Sequence, residues 1–74
     1  MVLEQLARLM AEHCGCDGDE IAMSATLDDL NILDHERSEL ALLMEELFGV
    51  EIPAQDLAGF STVEDFVGYI EDRL

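Results

Sequence analysis

A small all-α bundle is the fold this sequence predicts, and three observations predict it. Apolar residues recur at helical spacing in three separate runs, which is the pattern of helices that each bury one side. Gly15, Gly49, Pro53 and Gly59 fall between those runs, where helices stop and start. At 74 residues the chain is one domain spanning positions 1–74, and its 50% apolar content argues against disorder despite a net charge of −15.

The first run, Val2 to Cys14, sets Leu3, Leu6, Met10 and Cys14 on one side, with Val2 and Leu9 widening it. Gly15 suits the left-handed closing position of that helix. Residues Gly15 to Leu33 lack sustained periodicity and are rich in Gly, Asp and Asn. They read as a long ordered loop that tucks Ile21, Leu27, Leu30 and Ile32 against the core, an unusual length for so small a domain.

Helix two is expected over Asp34 to Phe48, ended by Gly49. Asp34 reads as its N-cap, a role in which a short carboxylate contributes about 1 kcal/mol. Leu40, Leu43, Met44, Leu47 and Phe48 form the inner stripe. Glu36, Glu39, Leu42, Glu45 and Glu46 are left facing outward, a leucine among carboxylates. Pro53 fits the first position of a short third helix reaching about Ala58, with Gly59 closing it. Ser61 stands at capping-box spacing before Glu64, and Val63, Phe66, Val67 and Ile70 give the stripe of helix four. The sum is a four-helix bundle, three main helices and a short third, with a long first loop.

Three arginines and no lysine face 18 carboxylates. That balance excludes nucleic acid and anionic membrane as partners and makes a basic protein surface the natural complement. No apolar run approaches the ~18 residues of a membrane-spanning helix, and the start does not fit a signal peptide. A cytoplasmic monomer with reduced thiols is the expectation.

No metal is expected. His13, Cys14 and Cys16 make a short pattern without a second ligand pair. Asp17, Asp19, Glu20, Asp28 and Asp29 lack the glycine and final glutamate of an EF-hand loop. His35 lies near Asp34, Glu36 and Glu39, but neither a nucleophile nor an oxyanion-binding loop accompanies it, so no catalytic residue is assigned and an enzyme is not expected.

Three segments carry a resemblance to a known family: the loop ending in Leu27-Asp28-Asp29-Leu30, the stretch ELALLMEELFGVEIP from Glu39 to Pro53, and STVEDFVGYI from Ser61 to Ile70. Over essentially its whole length the chain resembles the acyl carrier proteins and the related peptidyl carriers. The resemblance implies a carrier of acyl or aminoacyl groups in fatty-acid, polyketide or peptide biosynthesis. It implies a phosphopantetheine arm on a serine at the start of helix two, and an acidic helix-two face that docks on basic patches of synthases and transferases. On that basis Glu36, Glu39, Leu42, Glu45 and Glu46 are the expected partner-binding set.

The sequence departs from the family at the attachment position. Counted from Asp29-Leu30 or from Glu51-Ile52-Pro53, the serine's place falls on Asp34, which cannot form the phosphodiester. The family's usual Gly, Asp and Leu around it read here as Asn31, Leu33 and His35. Asp34 has two readings: a helix cap, or a fixed anion where the modified carrier holds its phosphodiester. The resemblance then points to a carrier-like protein without a cofactor that acts by protein docking in a regulatory, scaffolding or decoy role. The alternative is a working carrier whose phosphopantetheine sits on Ser38, one turn further along and about 6 Å away.

Overall fold

The computed structural model describes residues 2–74. It contains, among the described residues, four α-helices: α1 over Val2–Cys14, α2 over Asp34–Phe48, α3 over Ala54–Leu57 and α4 over Val63–Glu71. The long first loop is present as expected, with one unforeseen feature, a 3-10 turn over Gly18–Glu20 whose Asp17 side chain accepts from the amide of Asp19. Helix α1 packs on α2 and α4, and α3 packs on α2.

Helix α1 buries Val2, Leu6 and Met10, with Leu3, Leu9 and Cys14 at its margin. Gly15 closes it in the left-handed conformation at φ 70°, a position that favours glycine. The loop then contributes Leu27 and Ile32 to the core, while Ile21 and Leu30 pack partly buried against it. Its middle is fastened to the start of α4 by three backbone bonds: Leu27 donates to Ser61, Val63 to Ala25 and Glu64 to Met23, at 2.9, 2.9 and 3.0 Å. These bonds pair the Leu27 amide and two loop carbonyls, and they satisfy the first two amides of α4, which have no partner within the helix.

Helix α2 faces the core with Leu40, Ala41 and Met44. The expected stripe is therefore rotated: Leu43 and Phe48 are half-buried, and Leu47 is 52% exposed and outside the core. Ala41 takes the inward place because a small side chain allows close approach, a choice that a hydrophobic pattern does not weigh.

Pro53 is not the first helical residue but the cap before it, in extended conformation, its carbonyl accepting from Asp56 and Leu57. Gly59 adopts no left-handed angle; α3 ends at Leu57, with Ala58 as its closing residue. The capping box of α4 also lies one residue later than expected. Thr62, held extended by an antiparallel bridge to Thr26, accepts from the amide of Asp65 at 3.1 Å. Asp65 returns the favour, accepting from the amides of Ser61 and Thr62 at 2.9 and 3.1 Å. Helix α4 buries Val63, Phe66, Val67 and Ile70 as its spacing predicts.

The two backbone bonds from Ser61 and Thr62 hold the Asp65 carboxyl below the usual range. A lowered carboxyl contributes stability that is complete above the unfolded-state value and is lost as pH falls through the folded-state value. Asp65→Ala is expected to cost about 1 kcal/mol by urea unfolding at neutral pH. Below about pH 3.8, where the unfolded carboxyl takes up its proton, the difference from wild type is expected to shrink.

Candidate functional site

The first turn of α2 is built by the residues on either side of it. Leu33 is the cap, in extended conformation, and its amide donates to Glu36 Oε1 at 2.9 Å. Glu36, three residues on, supplies the returning half of a capping box, while leucine has no acceptor for the other half. Asp34 is thus the first helical residue and not the cap; its carboxylate is exposed and accepts no hydrogen bond among the described residues. It still opposes the positive end of the helix, where a first-turn anion is stabilising.

Just upstream, Asn31 stands at φ 59°, the left-handed region that side chains rarely adopt. Asparagine is among the few side chains that tolerate it. The turn it completes is compact: the amides of Asn31 and Ile32 donate to Asp28 and Leu27, and that of Asp29 to Thr26 Oγ1. The place where the family resemblance calls for glycine is therefore a place whose backbone suits glycine.

Arg37, which the sequence reading passed over, holds this turn to the helix. Its Nε donates to the carbonyl of Ile32 at 3.0 Å and its Nη2 to Asp28 Oδ1 at 2.6 Å, with the Arg37 side chain only 19% exposed. The one signal in the sequence was that Arg37 is the sole cation between Arg8 and Arg73. Distance along the chain concealed its partner.

Between α2 and α3 lies a cavity of about 360 Å³ lined by Asp34, Arg37, Ser38, Ala54, Leu57 and Ala58. Next to it is a smaller one of about 180 Å³ that shares Ser38, Ala54 and Leu57 and adds Ala41, Leu42, Glu45 and Ile52. The rotation of α2 decides this lining: Ser38 and Leu42 stand over α3, and Leu43 and Leu47 of the expected inner stripe do not line either space. The Ser38 hydroxyl is exposed and donates back to the carbonyl of Asp34 at 3.4 Å.

The expected acidic set is not one patch. Glu39, Leu42 and Glu46 share the outer side of α2, Leu42 being 61% exposed. Glu36 and Glu45 lie toward opposite flanks, each part-buried and each spent on backbone. Glu36 caps α2, and Glu45 Oε1 accepts from the amide of Ile52 at 3.1 Å, closing the connection into α3. The outward-facing reading is thus corrected for these two. Glu39 also stands 3.9 Å from His13 Nδ1, across the α1–α2 contact.

No group of three or more His, Cys, Asp or Glu side chains able to hold a metal occurs among the described residues. Cys14 and Cys16 are free and half-buried. Burial, then the nearby Glu36 carboxylate, pushes the Cys14 thiol up to about 11, away from the thiolate that would ligate or react. No described helix is long and apolar enough to cross a membrane.

Comparison with known proteins agrees with this geometry. A family model described as the phosphopantetheine attachment site matches residues 4–70. The chain is 37% identical over 71 residues to the acyl carrier protein of Zymomonas mobilis, covering 95% of this chain and 91% of that one. It is 34% identical over 71 residues to the acyl carrier protein of Rhodococcus erythropolis, covering 95% and 78%. The arm that this family normally carries needs a hydroxyl at the start of the second helix, and the residues here do not fit it. Asp34 offers a carboxylate, and the hydroxyl of Ser38 lies a turn further on.

The Asn31 turn makes a direct check possible. Asn31→Gly is expected to be neutral or stabilising, whereas Asn31→Val is expected to cost about 1–2 kcal/mol in chemical unfolding, because a β-branched residue is strained at positive φ.

Proposed function

The chain belongs to the acyl carrier protein family, and from that membership we propose that it serves by docking on a biosynthetic enzyme without carrying a phosphopantetheine arm. Acyl carrier proteins are carriers and not enzymes, and they work by meeting the enzymes of a biosynthetic pathway. The single observation behind the arm-less reading is Asp34, an exposed carboxylate on the first residue of α2 at the mouth of the α2–α3 cavity. The left-handed backbone at Asn31 supports the same register, since it falls where the family's glycine is expected.

A carboxylate at that position places a fixed negative charge where a modified carrier holds its phosphodiester, so a partner could meet the protein as though it were loaded. The role is regulatory, scaffolding or decoy, in fatty-acid, polyketide or peptide biosynthesis, and we place it in the cytoplasm as a monomer. The docking face is Glu39, Leu42 and Glu46, with Glu36 and Glu45 at its flanks as residues that shape the helix as well as charge it. A chain of net charge −15 attracts a basic partner from a distance and repels a second copy of itself. Ser38 is a poor substitute attachment point, since its neighbours are Arg37 and Glu39 and its hydroxyl already bonds to the helix backbone.

Competition against an arm-bearing acyl carrier protein for a synthase or transferase of the same host tests this. Leu42→Ala combined with Glu46→Lys is expected to weaken binding at least about tenfold, and added salt to slow association. Asp34→Asn is expected to weaken it as well. Unchanged affinity in both variants would remove the docking assignment.

A further inference from the structure

Two of the three arginines have different company. Arg37 pairs with Asp28, but Arg73 lies within 4 Å of no carboxylate among the described residues. Its guanidinium sits instead over the ring of Tyr69, 3.5 Å from the centroid, and its Nη1 donates to the Tyr69 carbonyl at 3.2 Å. The ring is held in place for this: the Tyr69 hydroxyl donates to Asp56 Oδ2 at 2.8 Å, and Phe60 packs against it at 5.3 Å between centroids.

Two open depressions meet at Tyr69 and Arg73. The larger, about 550 Å³, runs between α3 and α4 and includes Asp56, Phe60, Glu64, Asp65, Gly68 and Asp72 in its lining. The smaller, about 350 Å³, is bounded by Val50, Glu51 and Pro53. Gly68 sits inside α4, where glycine weakens a helix. A Cβ added there would meet nothing within 4 Å, so the chain's own packing does not call for glycine. What its absence of side chain does provide is clear space on the helix surface beside the aromatic ring.

We propose that the α3–α4 groove is a receptor for an arginine side chain of a basic protein partner, and that Arg73 holds the guanidinium's place in the free protein. The occupant follows from the lining. Four carboxylates, Asp56, Glu64, Asp65 and Asp72, repel an anionic ligand, and a second copy at net charge −15 is repelled too. A planar cation that stacks on tyrosine while its N–H groups reach carboxylates uses the whole site, and guanidinium does this where ammonium does only part. Arg73 displays the stacking half of that chemistry within the chain, its N–H group bonding to the Tyr69 carbonyl instead of a carboxylate. This surface lies on different helices from the α2 face, so it stands or falls separately from the proposed docking there.

The chain has one tyrosine and no tryptophan, so its intrinsic fluorescence reports on Tyr69 alone. The experiment titrates the folded protein with an acetylated, amidated peptide carrying spaced arginines, and with its lysine counterpart, following tyrosine emission and amide shifts. Arg73→Gln is expected to raise affinity for the arginine peptide about threefold by uncovering the ring. Gly68→Leu, which keeps the charge and whose Cβ meets nothing within 4 Å, is expected to lower affinity about threefold. Arg8→Gln, the same change of charge at an exposed site on α1, is expected to leave it unchanged. The lysine peptide is expected to bind more weakly. Equal effects of Arg73→Gln and Arg8→Gln, an unaltered Gly68→Leu, equal binding of the two peptides, or shifts confined to Glu39, Leu42 and Glu46 would each overturn the proposal.

Discussion

A single guanidinium joins the long loop to the helix that carries the site. Arg37 reaches back from the first turn of α2 to the carbonyl of Ile32 and the carboxylate of Asp28, and in doing so fixes the turn through Asn31 that aims the chain into α2. The loop has little regular structure of its own, so its order comes from two fastenings. One is this clamp at its end, and the other is the set of three backbone bonds from its middle to the start of α4. Between them Leu27 and Ile32 are delivered to the core. The Asp28 carboxylate is exposed, so the ion pair alone contributes little, and the part-buried bond from Arg37 to the Ile32 carbonyl is what makes the clamp more than a surface pair.

The position of α2 that results explains both what its outer side presents and what its flank encloses. Ala41 faces inward, which carries Leu47 out to solvent and brings Ser38 and Leu42 over α3. Leu42 therefore belongs at once to the exposed acidic face and to the edge of the α2–α3 cavity. Glu45 ties the connection after the helix to the helix itself, so the carboxylates of α2 divide between those bonded to backbone and those exposed on its outer side. Charge alone does not distinguish the two groups; hydrogen-bond partners do.

Much of the fold was legible because helical periodicity is a local property. The stripes of α1 and α4 stand where their spacing put them, and the glycines at 15 and 49 close their helices in the left-handed conformation. Most of the errors share one cause. Whether Ser61 or Thr62 caps α4 and which way α2 is turned depend on contacts with distant segments, while the cap of α2 shifts to Leu33 through a local bond to Glu36. Thr62 caps because Thr26, far away in sequence, holds it extended. The site was legible in part for the same reason. That Asp34 stands in the first turn of α2 could be read from periodicity alone, whereas the role of Arg37 required knowing where Asp28 and Ile32 lie, and the aromatic groove at Tyr69 required the approach of α3 to α4.

What unites these features is an acyl-carrier-protein fold with a carboxylate, Asp34, on the first residue of its second helix, and the proposed role is docking without an arm. The claim turns on covalent attachment. The most direct measurement is an intact mass of the purified protein after incubation with coenzyme A and a broad-specificity phosphopantetheinyl transferase, with Asp34→Ser treated alongside. No mass gain in the native chain, with one phosphopantetheine gained at position 34 in the variant, is the outcome expected of an arm-less carrier in the proposed register. A stoichiometric gain in the native chain, mapped to Ser38 or any other residue, would contradict it.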